Sequence, residues 1–176
     1  VSEGRVRLAP ATDPASWRAA LAERLPADLL LRAPDDESAR VSNLSFGPHV
    51  WDIRATGRGR WIRKLTVNGR EQKGSYQLLP TASGSAQSAV IEKTDRPPKT
   101  PAILSSGVSR VTVREAVRSG LDARLTGPGF ARLWFYSPSR PALLVNGRES
   151  DFRWTAETNM GTAPLSGSDI DLAIRL

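Results

Sequence analysis

The chain contains no cysteine, which removes disulfides and thiolate chemistry and leaves its redox compartment undetermined. It has a single histidine, His49, so histidine-rich metal sites are excluded and any Ser-His-Asp scheme has one candidate base. No apolar run approaches the roughly 20 residues that span a bilayer as a helix. The opening VSEGRV lacks both Met and an apolar h-region; it is expected to be a processed end or an internal boundary of a longer protein. The glycine clusters GRGR (57–60) and GPG (127–129) lack the strand–loop–helix setting and the Gly-Lys-Ser/Thr ending of a phosphate loop. No cofactor or metal is expected.

What remains is enough for a folded protein. A chain of 176 residues fits one domain or two small ones, and 39% hydrophobic content can supply a core. The formal charge is +7, and 21 of the 25 basic residues are Arg. Such a field favours anionic partners. The basic residues are dispersed, however. The densest cluster, RATGRGRWIRK at 54–64, holds five in eleven positions, and a general preference for Arg in composition explains the charge equally simply.

One helix is expected, at 13–25 (DPASWRAALAERL). Asp13 suits the N-cap and Pro14 the first helical position. Trp17, Leu21 and Leu25 form a stripe with a spacing of four, and Pro26 ends it. After it the period changes to two. Strands are expected in DLLLRA (28–33), HVWDIRA (49–55), WIRKLTV (61–67), YQLL (76–79), GSAQSAVIEK (84–93), VSRVTVREAV (108–117), GLDARLTG (120–127), FARLWFYS (130–137), PALLV (141–145), SDFRWTA (150–156) and DIDLAIRL (169–176). The phrase LTVNGRE (65–71) returns as LLVNGRE (143–149). Asn-Gly between such runs is a strong hairpin signal, because a type I′ turn needs φ > 0 at both central residues. The first copy predicts a hairpin over 61–79. Turn chemistry alone accounts for the repetition, since the flanks match poorly.

The fold expected is mainly β: an antiparallel β-sandwich, or two small stacked ones, with one short N-terminal helix. The three-proline stretch TDRPPKTP cannot sit inside a sheet. It divides residues 1–93, a helix plus hairpin half, from 102–176, a C-terminal sandwich half, with 94–101 as linker or crossover.

Strand alternation singles out 131–136. Ala131, Leu133 and Phe135 share one face, and Arg132, Trp134 and Tyr136 the other. An aromatic pair beside a guanidinium suits a sugar ring, which lays its C–H patch on a flat aromatic face and its hydroxyls on polar groups. A sheet covered on both faces would instead bury the pair, which is the commoner arrangement. Trp61, two residues before Arg63 on the basic hairpin, is open to either reading. Trp17, Trp51 and Trp154 are expected in the core. Glu149 and Asp151, about 7 Å apart along a strand, have a spacing that two catalytic carboxylates could use. Charged residues after a turn are ordinarily solvated, and no catalytic residue is assigned.

The stretch FGPHVWDIRATGRGRWIRKLTVNGREQKGSYQLLP (46–80) resembles a pattern in the β-sandwich domains that follow the helical barrel of (α/α)6 glycoside hydrolases and phosphorylases. A strand, a glycine turn, a strand ending in a Val-Asn-Gly turn and a return strand ending in Leu-Pro occur there in that order. The opening RVRLAPATDPASWRAAL is similar to the segment leaving such a barrel. GPGFARLWFYSPSRPALLVNGRESDFRW (127–154) resembles the last sandwich of several glycosidases. The resemblance implies an accessory role without catalysis in this chain alone, because the acid and base of those enzymes sit in the barrel. It implies a glycoside hydrolase as parent, and secretion or a periplasmic location if that parent acts on polysaccharide.

Two functions follow. The first is a non-catalytic accessory domain packing on or flanking a catalytic domain of the same protein. The second is an independent lectin-like module for an acidic glycan, with Trp134, Tyr136, Arg132, Trp61 and Arg63 as candidate carbohydrate contacts. A nucleic-acid partner has the charge in its favour but no motif, and a hydrolase or lyase on a β scaffold has no motif either. A membrane partner is not expected.

Overall fold

A computed structural model describes residues 39–46, 49–59, 61–76, 86–106, 110–127 and 130–176. The expected helix at 13–25 and strand at 28–33 lie outside them. Among the described residues the protein is mainly β and contains no helix. It divides into two compact units. The first includes the described residues up to Gln72 and continues to Pro97, and the second comprises Lys73–Gln77 and Pro98–Leu176. The passage from one to the other at 97–98 falls within the three-proline stretch.

The first unit contains one five-stranded sheet. Its strands are β1 (Ala39–Phe46), β2 (His49–Gly57), β3 (Trp61–Val67), β4 (Arg70–Glu71) and β5 (Ala86–Thr94), in the order β1-β2-β5-β3-β4. β5 lies between β2 and β3, parallel to the former and antiparallel to the latter. Every other pairing between these strands is antiparallel, as expected. Alternation is clean where the sequence showed it: Trp51, Ile53 and Ala55 are buried, Asp52 and Arg54 exposed. Gln87, Ala89, Ile91 and Lys93 on β5 and Leu65 and Val67 on β3 are also buried.

The second unit is a β-sandwich. Its strands are β6 (Ala102–Ser105), β7 (Arg110–Val117), β8 (Gly120–Thr126), β9 (Phe130–Tyr136), β10 (Ala142–Val145), β11 (Arg148–Glu149), β12 (Arg153–Thr155), β13 (Met160–Ser166) and β14 (Asp169–Arg175). They form a five-stranded sheet, β11-β10-β14-β8-β7, and a four-stranded sheet, β12-β13-β9-β6. All pairings within them are antiparallel. Ile103, Leu133, Phe135, Ala163 and Leu165 of the smaller sheet join Leu121, Leu125, Leu143, Ile170, Leu172 and Ile174 of the larger in one apolar core. Each of the larger side chains stabilises the fold by about 1.5–3 kcal/mol through burial.

The repeated phrase folds the same way twice. Asn68 and Asn146 both have positive φ, 48° and 52°, and each is followed by a glycine with positive φ. Both asparagines clasp the neighbouring strand. The Asn68 amide donates to the Ser88 carbonyl at 2.9 Å, and its Oδ1 accepts from the Ser88 amide at 2.8 Å. The Asn146 amide donates to the Asp171 carbonyl at 2.7 Å, and its Oδ1 accepts from the Asp171 amide at 2.9 Å. Gln72 closes the first turn by donating to Leu65, and Ser150 the second by donating to Leu143.

The expected hairpin over 61–79 is shorter than its sequence suggests. The return strand β4 is two residues long, and the described residues 73–76 belong to the second unit; the expected strand at 76–79 lies, from residue 77 on, outside the described residues. There residues 73–76 strap the edge of β6. Tyr76 donates its amide to Ile103 at 2.7 Å, and the Ile103 amide donates to Gly74 at 2.9 Å. Ser75 forms a parallel bridge with Ile103.

Candidate functional site

The two faces of the second unit carry different chemistry. On the larger sheet the outward positions of β7, β8 and β14 include Arg and Asp side chains that pair across neighbouring strands. Arg114 pairs with Asp171 at 2.8 Å and Arg175 with Asp122 at 2.6 Å. Arg124 Nε donates to Asp169 Oδ1 at 2.7 Å, and the second arm of the same fork also reaches Asp169. The Arg124 guanidinium, through this hydrogen bond and its charge, holds the Asp169 carboxyl below the usual carboxylate range. Every one of these carboxylates therefore carries its own counter-charge.

The smaller sheet differs. Leu133 and Phe135 point into the core, so Arg132, Trp134 and Tyr136 occupy the outward face of β9, as alternation requires. Register then assembles the neighbours. Trp134 stands opposite Thr162 of β13, which stands opposite Arg153 of β12. Arg132 stands opposite Pro164. Trp134 is partly buried, Thr162 likewise, and Arg132, Arg153 and Pro164 are exposed. The pleat places Arg132 about 7 Å from Trp134 along β9, and two strand spacings place Arg153 about 10 Å across the sheet.

Tyr136 lies on the same face but is not available at its surface. It is 0% exposed, and its hydroxyl donates to the Pro98 carbonyl at 2.8 Å. Burial pushes its pKa up to about 12. Its row neighbours Ala102 and Met160 are buried too. The face is thus closed at the Tyr136 end, whereas Trp134 and Thr162 are partly buried and Arg132 and Arg153 exposed.

The other candidates fall in the first unit. Trp61 is 6% exposed; it belongs to the buried set of that unit and presents no ring to solvent. Arg63 is exposed and forms an ion pair with Glu92. Of the five candidate contacts, then, partly buried Trp134 and exposed Arg132 share a face, Tyr136 lies on it but is sealed, and Trp61 and Arg63 belong to a different unit. Trp51 is buried as expected. Trp154 packs against the core with Phe152, whose ring meets Phe135 edge-on at 5.8 Å. Trp154 Nε1 is buried and has no acceptor among the described residues.

Arg153 and Thr162 were not singled out in the sequence. The signal for Arg153 was present, since it alternates with Phe152 and Trp154. Thr162 lies on a strand that sequence reasoning did not identify. Glu149 and Asp151 are both exposed on and just after the short β11. No cluster of His, Asp or Glu suited to a metal ion occurs among the described residues, and no helix there is long and apolar enough to cross a membrane.

Comparison of the chain with known protein families, with curated proteins and with solved structures finds no match.

Proposed function

We propose that this chain is a non-catalytic accessory part of a carbohydrate-active enzyme, and that the outward face of its four-stranded sheet contacts saccharide. The observation that carries this reading is Trp134, partly buried on an outward sheet face and in register with Thr162 and Arg153. A ring anchored in a rigid sheet offers a flat apolar surface at little entropic cost, and the surrounding Arg and Thr side chains take hydroxyl groups. The resemblance of 127–154 to the last sandwich of glycosidases supports the same assignment. Arg132 and Trp134 are the contacts retained from the sequence; Arg153 and Thr162 join them.

A glycan array probed with the whole chain, alongside Trp134→Ala, tests the reading. Binding to a defined set of glycans at physiological salt, lost in the variant, is expected. Absence of binding to any glycan, or binding indifferent to Trp134, overturns it.

A further inference from the structure

We infer that the Trp134 face selects anionic saccharides, recognising acidic groups on a chain longer than one sugar unit. This rests on the saccharide reading above and adds the ligand's charge and length. The starting point is the position of two unpaired guanidinium groups beside one aromatic ring on the same sheet face. Arg114, Arg124 and Arg175 on the larger sheet are each paired with an Asp, while Arg110 and Arg148 of that sheet are exposed without an ion pair among the described residues and have no aromatic ring beside them in register. Arg132 and Arg153 on the smaller sheet are exposed and have no ion pair or hydrogen bond among the described residues.

Among the described residues on the outward side of β9, β12 and β13, none is a carboxylate. The outward positions are Arg132, Trp134 and Tyr136 on β9, Met160, Thr162, Pro164 and Ser166 on β13, and Arg153 and Thr155 on β12. The only formal charges among them are the two guanidinium groups. A guanidinium presents a rigid fork that matches a carboxylate or sulfate in bidentate fashion. A neutral glycan would leave both forks without a charged partner.

The placement also sets a length. Arg132 is offset from Trp134 along the strand and Arg153 across it, in different directions by about 7 Å and about 10 Å. A single ring stacked on Trp134 could satisfy one of them. Engaging both while stacking requires further units, with acidic groups reaching out from the stacked ring in those two directions.

The test is calorimetric titration of the whole chain with oligosaccharides of matched length. The probes are an oligouronate, its methyl ester, a sulfated oligosaccharide, a neutral oligoglucan and a single-stranded oligodeoxynucleotide. The oligouronate or the sulfated chain is expected to bind at least about tenfold tighter than the methyl ester, as one or two charge-assisted hydrogen bonds would give. Whichever of the two binds tighter identifies the anion. Arg132→Gln and Arg153→Gln should each weaken binding of the acid several-fold more than binding of the methyl ester, so that the preference shrinks, whereas Arg132→Lys should retain part of it. Trp134→Ala should weaken both, with Trp134→Phe as a folded control that keeps an aromatic face.

Equal affinity for the acid and its methyl ester, both lost in Trp134→Ala, overturns the anionic selectivity and leaves saccharide binding standing. Absence of binding to every saccharide overturns both. Binding of the oligodeoxynucleotide as tight as that of the best saccharide, and lost in the Arg→Gln variants, overturns the inference in favour of a nucleic-acid surface.

Discussion

The ring of Phe135 occupies the space in which a side chain at Gly161 would stand. The two residues are register partners on β9 and β13. A Cβ built at position 161 would overlap the ring edge, lying 2.6 Å from its Cε1 and closer still to Cζ. Phe135 is fully buried at the centre of the sandwich core, so the ring has nowhere to retreat. Gly161→Ala should destabilise the protein by about 1–3 kcal/mol, the usual cost of overpacking a core. Denaturant unfolding checks this. Pairing it with Phe135→Leu should recover part of the loss, because the smaller side chain vacates the space.

The two Asn-Gly turns invite a matched comparison. Each asparagine holds a left-handed backbone and accepts a hydrogen bond from the adjacent strand. Alanine forfeits both, at roughly 1–2 kcal/mol for the backbone and about 1 kcal/mol for the bond. Glycine forfeits only the bond. Asn68→Ala and Asn146→Ala should therefore cost about 2 kcal/mol each, and the two glycine variants distinctly less. Equal losses for Ala and Gly at either site would show that the backbone contributes nothing there.

Tyr136 gives the protein a defined alkaline limit. Its hydroxyl loses a proton at about 12 in the folded state against 10.0 for a free tyrosine, because burial disfavours the anion. Between those values the unfolded chain releases a proton that the native state keeps, so stability falls as pH rises through the interval. Below 10.0 both states hold the proton and the contribution is constant. Urea unfolding just below pH 10.0 and midway to 12 should show a loss in the wild type that Tyr136→Phe lacks. At neutral pH the same variant should cost about 1 kcal/mol for the bond to Pro98.

Much of this architecture is legible in the sequence, and the failures have physical causes. β2, β3, β9 and β14 are recognisable because one face of each is buried and the residues alternate. β1 is not, since Asn43 adopts positive φ and the register slips between Val41 and Leu44. β6 is four residues long and buried throughout, with no alternation to detect. β13 contains Gly161 and Pro164, both poor strand residues. Gly161 is there to admit a ring, and Pro164 is tolerated because β12 pairs only as far as Thr162. Long-range pairing is the deeper limit. Nothing local to WIRKLTV reveals that its principal partner is β5 rather than the strand just beyond its own turn. The site was half legible for the same reason: Arg132 and Trp134 share one strand, whereas Arg153 and Thr162 arrive through register.

The strap at residues 73–76 is sensitive to a single methyl group. Gly74 has φ +67°, and a Cβ there would lie 2.7 Å from Ala116 Cβ and 3.1 Å from both Val113 and Leu121. Gly74→Ala should cost about 2–4 kcal/mol, from the left-handed backbone and the crowding together. Hydrogen exchange locates the damage. The Ile103 amide, which donates to Gly74, should lose protection before the amides of β8 and β14 do.

That strap also determines how such a protein can be inherited. A module that moves between genes needs all its strands in one uninterrupted stretch of sequence. The prolines at 97, 98 and 101 look like a seam, yet a recombination there would carry away a sandwich whose β6 edge is completed by residues encoded before β5. The recipient would gain an open edge, ready to pair with another chain, and the donor would keep a short segment with nothing to bind. Selection should therefore transmit the two units together, and the proline stretch joins partners that are not interchangeable.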